Sequence, residues 1–539
     1  MEARRSANYR SAIWDHNYIQ SLTSSYTGDK YVDRSQKLKF EVMKMMVDET
    51  TDELEQLQLI HLLQRLGISY HFQDCIAKML HNIFGSENKH VEKDLHLTAL
   101  KFRLLRQHGY HVPQDVFNRF TDEEGNFETW VGEDVRGLVS LYEASYLSME
   151  GESILDMAKD FSSHHLSEMV EQIKDESLAE EVRHALELPL YWRIERLEAR
   201  WFIQAYETRP DSNPILVELA KLDFNMVQAR YQAELKRCSR WYKQTGLPEK
   251  LSFARDRPAE CFFWAMGFIP EPHHGYSREV MTKVGLLITV LDDIYDVYGT
   301  LEELKDFTNT FERWDTSWLD RLPEYMQICF LAIFNSVNEL GYQILRDQGL
   351  NVIQNMRRWW TELSRVNYVE ARWFHSGYVP TKEEYLNTAW ISIAGPILLS
   401  FGYLTTTDPI NNTELESLEK HPGIIYWPSM VLRLADDLGT SSDEMKRGDV
   451  SKSVQCYMNE TGCSEEKARH HVKNLIEAGL KRMNKEILME KPFKDFGTTA
   501  MNLARISLCI YQHGDGYGDP KSDMENKMAS LFIHPFHIK

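Results

Sequence analysis

Val284-Gly285-Leu286-Leu287-Ile288-Thr289-Val290-Leu291-Asp292-Asp293-Ile294-Tyr295-Asp296 is an apolar run that ends in three carboxylates. Read as a helix, it puts Asp292 and Asp296 one turn apart on one face, with the small residues Gly285 and Thr289 on the same side. About 140 residues later a second apolar lead, Met430 to Ala435 with the single charge Arg433, enters Asp436-Asp437-Leu438-Gly439-Thr440-Ser441-Ser442-Asp443-Glu444. Here Asp436, Thr440 and Glu444 mark successive turns of one face. Acidic residues at four-residue spacing are common on solvated helix faces. Carboxylates at the ends of buried helices are not, unless they are paired or bound to metal. Oxygen-only donors favour a hard cation, and Mg²⁺ usually keeps water and substrate phosphates in its shell. The two rows together predict a clamp for a diphosphate.

The chain has 539 residues, enough for two or three domains. Glycine (27) and proline (17) are scarce against an average usage of roughly 12%. With no clear alternating strand pattern, this predicts an all-α protein. The net charge of −20 disfavours a nucleic-acid or anionic-membrane partner. It would also repel an anionic substrate, so bound cations are expected to reverse the sign locally. Seven cysteines without a C-x-x-C pair read as reduced thiols. Apolar runs such as Met326 to Phe334 are too short to span a bilayer.

Arg209-Pro210-Asp211-Ser212-Asn213-Pro214 is the best candidate domain boundary. Asn213 is placed to cap a helix that Pro214 opens, with Ile215, Leu219, Leu222 and Met226 recurring along one face. Residues 1–208 thus read as a helical domain without recognisable chemistry, and 215–539 as the domain that carries both acidic rows. Gly514-Asp515-Gly516-Tyr517-Gly518 follows no strand and reads as a mobile loop.

An allylic diphosphate ionises when cations stabilise its leaving group, and the carbocation left behind must be shielded from water. Basic candidates near the rims are Arg255, Arg257, Arg433 and Lys452, and arginine suits bidentate phosphate contact. Trp264, in the apolar stretch Cys261 to Met266, is a candidate cavity aromatic, since a desolvated ring face stabilises a cation by roughly 0.5 to 2 kcal/mol. Asn335, an amide in the apolar helix Met326 to Leu340, is a candidate to position a water molecule.

With these residues in place, the whole chain resembles a plant terpene synthase. Asp292 to Asp296 resembles the aspartate-rich motif, and Asp436 to Glu444 fits the second metal motif, [ND]-D-[LIV]-x-[ST]-x-x-x-E. Arg4-Arg5, eight residues and Trp14 match the R-R-x8-W signature of the angiosperm monoterpene branch. The resemblance implies two all-α domains, the second of class I fold and catalytic, with the N-terminal arm capping the site. It implies three Mg²⁺, or Mn²⁺, with Asp292 and Asp296 holding two ions and Asp436, Thr440 and Glu444 the third. Asp293 would orient basic neighbours. Arg255, Arg433, Lys452 and, more weakly, Arg257 would hold the diphosphate, with Arg4 and Arg5 acting in isomerisation. Trp264 would line the cavity, and Tyr511 and Asp515 would close over it. Ser451 stands where relatives often carry proline, which loosens the assignment of Lys452. The implied substrate is geranyl diphosphate, the product a C10 terpene, and the location the plastid stroma as a soluble mature form, monomeric or weakly dimeric.

Three rivals share features of this pattern. A sesquiterpene or isoprene synthase has the same metal residues and differs in cavity volume. A chain-elongating prenyltransferase would carry a second D-D-x-x-D where Thr440 and Glu444 stand. An acidic helical scaffold protein would need no metal. Asp292→Ala separates the last from the others: turnover should vanish while the circular dichroism spectrum is unchanged, and full activity would favour the scaffold.

Overall fold

The computed structural model describes residues 4, 6, 9–48, 50–85, 93–447, 450–489, 493, 496–518 and 522–538, and the side chains of all of these except 442–447, 489 and 522. Helices make up the described structure, and the only extended pairing among the described residues is an isolated bridge between Thr121 and Phe127. The chain divides into two compact units. One comprises Ser24–Ala229, Asn484–Glu490 and Ala529–Lys539; the other comprises Met1–Thr23, Arg230–Met483 and Lys491–Met528.

The turn anticipated at Arg209 to Pro214 is present. Asn213 Oδ1 accepts the N–H of Ile215 at 2.9 Å, and the helix Pro214–Gln244 follows. The change of unit nevertheless falls within that helix, because nothing in it breaks the backbone ladder, whereas the first 23 residues group with the later unit. The earlier unit is organised around buried ion pairs within an apolar core. Arg65 reaches Glu198 at 2.8 Å, and His184 Nε2 donates to the other oxygen of this carboxylate at 2.6 Å while stacking on Trp201. Burial opposes ionisation of Glu198, but Arg65 and His184 hold it down to about 2.

The later unit holds the helices that matter for chemistry: α1 (Pro258–Phe268), α2 (Gly275–Asp293), α3 (Ile353–Ser376), α4 (Lys382–Ser392), α5 (Gly395–Thr406), α6 (Gly423–Arg447) and α7 (Gly497–Tyr511). Helix α2 is buried on most of its surface: Val284, Leu286, Leu287, Val290 and Leu291 are all inside. Burial of each such side chain stabilises by about 1.5–3 kcal/mol, which explains why an apolar run can carry aspartates inward at its end. Helices α4 and α5 form one apolar stretch interrupted at Ala394, whose φ of 64° turns the chain into the left-handed region. Gly395 follows because α6 packs there directly: a Cβ at this position would stand 2.4 Å from Ser429 Oγ.

Two stretches, 324–348 and 382–406, are long and apolar enough to cross a bilayer by length and composition, so the apolar run around Met326 extends further as a helix than its sequence suggested. The second is mostly buried and is broken at Ala394, as suits a core element. All seven cysteines are free thiols.

Arg278 on α2 is wholly buried and grips Glu234 through two hydrogen bonds, 2.8 and 2.9 Å, while donating to the carbonyls of Ile269 and Glu271. Removing one partner of a buried pair leaves the other charged and desolvated. Arg278→Met should therefore lower unfolding free energy by about 3–5 kcal/mol, read from urea denaturation; a loss below about 1 kcal/mol would mean that the pair contributes as little as a surface contact.

Candidate active site

At the end of α2 the backbone makes one π turn, Ile294–Tyr298, closed by the N–H of Gly299 on the carbonyl of Ile294 at 2.8 Å. The expected α-helical continuation is replaced here by an i→i+5 turn, a form frequent at functional sites. Four residues span close to one turn in either geometry, so Asp292 and Asp296 still face the same way. Both line a cavity of about 500 Å³ within this unit. Asp293 points the other way and is fully buried.

Arg255 joins the two aspartates. Its backbone N–H donates to Asp293 Oδ2 at 2.7 Å, its Nε to the same oxygen at 3.2 Å, and its Nη2 to Asp292 Oδ2 at 2.5 Å. Burial by itself would lower the pKa of this guanidinium, but Asp293, Tyr9 and Asp292 drive it well above its ordinary value, so the charge persists inside. Burial likewise pushes the Asp293 carboxyl up, and Arg255 opposes that. Asp293 thus holds Arg255 from behind and does not line the cavity itself.

The second row arrives on α6. Arg433 pairs with Asp436 and, at 2.8 Å, with Asp437. Asp437 is buried behind the row, accepting from Tyr385 Oη at 2.9 Å and from the N–H of Ser453 at 3.1 Å. Asp436 and Thr440 line the cavity. The Thr440 hydroxyl donates to the carbonyl of Asp436 at 2.9 Å, which leaves its oxygen lone pairs for a ligand. Arg433, Lys452, Trp264, Tyr511 and Asp515 line the same cavity. Burial pushes the Tyr511 phenol well up, and the charge of Asp436 adds to this, so the hydroxyl stays protonated.

Not every anticipated residue reaches the cavity. Arg257 is buried and directs its donors to backbone carbonyls, with none of its atoms on the lining. Arg4 also stands off: it pairs with Glu303 and lies over the rings of Tyr298 and Tyr325. Asn335 is exposed and away from the cavity, so the water-positioning role lapses. Arg5 and the side chain of Glu444 lie outside the described residues.

Among the wall residues that sequence reasoning missed are Tyr9, Tyr517, Glu370, Ser392 and Phe374. Tyr517 belongs to the segment read as a mobile loop. In the structure Asp515 Oδ1 accepts the N–H groups of Tyr517 and Gly518 at 3.1 and 2.6 Å, an Asx turn that an Asp followed by glycine could have signalled. The Tyr517 hydroxyl meets Thr289 Oγ1 and, at 3.1 Å, Cys261 Sγ, and its ring stands edge-on to Trp264. Glu370 on α3 accepts the Ser392 hydroxyl at 2.6 Å. Nothing in its local sequence separates it from a solvated helix carboxylate.

Oxygen donors from α2 and α6 therefore share one cavity with three basic side chains and an aromatic wall. Among the described residues, no group of three or more His, Cys, Asp or Glu side chains comes together to hold a metal ion. That donor set suits Mg²⁺, which takes one or two carboxylates and draws its remaining oxygens from water and substrate phosphates.

The comparisons with known proteins agree with this geometry. Residues 13–186 match the model of the terpene synthase N-terminal domain, and residues 243–482 that of the terpene synthase family metal binding domain. The chain belongs to the terpene synthase family and is a lyase of class I fold. An exo-alpha-bergamotene synthase of Lavandula angustifolia is 76% identical over all of both chains. An alpha-zingiberene synthase of Ocimum basilicum is 63% identical, also over all of both. A chloroplastic myrcene synthase of Quercus ilex is 51% identical over 99% of this chain and 90% of that one. Among solved structures, a limonene synthase with 2-fluorolinalyl diphosphate superposes with a TM-score of 0.96 at 45% identity, covering 99% of this chain and 100% of that one. Grey poplar isoprene synthase with three Mg²⁺ ions and dimethylallyl-S-thiolodiphosphate gives 0.89 at 42% identity, covering 97% and 99%.

The Arg4 contact carries a pH signature. Burial opposes ionisation of Glu303, yet the hydrogen bonds from Arg4, Thr300 and Tyr325 hold its carboxyl down to about 2 from an ordinary 4.5. A depressed carboxyl favours the docked arm above its ordinary pKa and loses that contribution as pH falls through the lowered one. Protease cleavage within residues 9–13 should stay slow at pH 5–8, as probed by mass spectrometry, and rise only as pH drops from 4.5 toward 2. Glu303→Gln should show the faster cleavage already at pH 7; equal rates in both proteins would remove the latch role of this pair.

Proposed function

We propose that this protein converts farnesyl diphosphate to a C15 terpene and free diphosphate, with 215–539 as the catalytic region, 1–208 as non-catalytic scaffold, and the N-terminal arm as cap. One observation supports the chain length above the others: the relatives at 76% and 63% identity are named for bergamotene and zingiberene, which are C15 hydrocarbons. A cavity of about 500 Å³ falls in the ordinary range for small ligands, about 300–1,000 Å³, and admits a C10 or a C15 chain.

Asp292, Asp296, Asp436, Thr440 and Glu444 would hold the metal, with Mg²⁺ the first choice, three ions by analogy with the isoprene synthase, and Mn²⁺ a substitute of similar donor preference. When bound, such ions neutralise the diphosphate and act as Lewis acids on its leaving oxygen. Arg255, Arg433 and Lys452 bind the diphosphate oxygens and retain them after departure. Asp293 fixes the direction of the Arg255 fork through two hydrogen bonds to one oxygen. Below them Trp264, Tyr517 and Phe374 present ring surface to the carbocation, and Thr289 and Gly285 leave room for the chain. Tyr511 and Asp515, from the C-terminal segment, exclude water from the upper cavity. The carboxylates of Asp515 and Glu370 and the released diphosphate are the bases within reach of a terminating proton.

Geranyl diphosphate is the second reading. The R-R-x8-W pattern and the superposition on limonene synthase favour it, and a plastid location goes with it, since the myrcene synthase relative is named chloroplastic. Purified protein with Mg²⁺ should give C15 hydrocarbons from farnesyl diphosphate by gas chromatography, with kcat/KM about tenfold or more above that for geranyl diphosphate, a difference of about 1.4 kcal/mol. A chelator should abolish both reactions. A higher kcat/KM on geranyl diphosphate would transfer the proposal to the C10 reading.

A further inference from the structure

Arg257 is fully buried, though it is outside the cavity and forms no short ion pair. Four of its five N–H donors go to backbone carbonyls: Nε to Tyr517 at 3.2 Å, Nη1 to Asp256 at 3.1 Å, and Nη2 to Arg10 at 2.9 Å and Gly518 at 3.1 Å. Apart from Asp256, its own chain neighbour, the acceptors belong to two segments that both face the cavity. Ser6 and Tyr9 come from the N-terminal arm, and Asp515, Tyr517 and Gly518 from the segment after α7. A second contact strengthens the arm side. Buried Glu260, 3.8 Å from Arg257 Nε, accepts the N–H of Ile13 at 3.2 Å.

A guanidinium in this position cannot release one segment without cost. If the arm leaves, Nη2 loses Arg10 while the charge stays buried, and only the carbonyls of Asp256, Tyr517 and Gly518 still accept from it. Hydrogen bonds to a charged group contribute about 1.5–3 kcal/mol each, so the loss weakens the shared anchor. We propose that Arg257 is a positioning residue that latches the N-terminal arm and the 515–518 segment to each other, so that the two roof segments open and close together. Its meaning for catalysis rests on the synthase reading above: a roof that opens as one unit keeps water from the carbocation until the product is formed.

The test is amide hydrogen exchange on the full-length protein, followed at Ser11–Ile13 and at Asp515–Gly518. In Arg257→Lys, whose ammonium has three donors and no fork, both segments should exchange about tenfold faster or more, while α2 is unchanged. Deleting residues 1–10 should speed exchange at 515–518 in the native background and add nothing further in Arg257→Lys, the non-additivity expected of one shared interaction. With the diphosphate substrate, Arg257→Lys should also raise the fraction of alcohol among the products. Faster exchange in only one segment, or no effect of the deletion on 515–518, would overturn the latch; the deletion tests this even if the lysine variant does not fold. The exchange arm needs no substrate, so a latch that is intact in a protein inactive on every prenyl diphosphate would count against the synthase reading alone.

Discussion

The site depends on a charge kept inside the protein. Arg255 is largely buried beside two aspartates, one facing the cavity and one behind it, and removing either Arg255 or the fully buried Asp293 would leave the other an uncompensated charge. The arrangement is directional. Asp293 fixes the guanidinium from the rear through the side chain and the backbone N–H of Arg255, and this leaves Asp292 and Arg255 side by side on the cavity wall. A row of acids on α2 alone would repel a diphosphate. With Arg255 in the row, and Arg433 repeating the pattern on α6, each acidic cluster carries its own cation.

This local balance resolves the apparent conflict between a chain of net charge −20 and an anionic substrate. Long-range charge governs encounter, whereas affinity in the cavity is set by groups within a few ångström, where the dielectric is low. The three basic side chains on the lining come from separate stretches of the chain, Arg255 before α1, Arg433 on α6 and Lys452 beyond it. None of them would count as a phosphate site in isolation.

The roof follows the same logic with backbone in place of side chains. Tyr517 enters the cavity because Asp515 turns the chain beneath it, and Arg257 holds the carbonyls of the same residues from outside. The N-terminal arm is fastened at several points, by Arg4 on Glu303, Arg10 on Arg257 and Ile13 on Glu260. Arg4 and the carbonyl of Arg10 thus acquire places in the fold through partners hundreds of residues away.

The sequence by itself determined the helical class, the helix that Asn213 and Pro214 open, and the membership of most of the site. Those readings rest on periodicity and on residue chemistry, which act over one or two turns of backbone. Asp292, Asp296, Asp436, Thr440, Arg255, Arg433, Lys452, Trp264, Tyr511 and Asp515 all reach the one cavity they were expected to share. Only the tertiary structure decided that Arg257 and Arg4 grip protein instead of lining that space, that Asn335 faces outward, and that Tyr9, Tyr517, Glu370 and Ser392 belong to the wall. The physical reason is the range of the forces involved. A helical face can be counted from spacing, but the direction of a long side chain depends on which distant carbonyl or carboxylate is nearest when the helices pack.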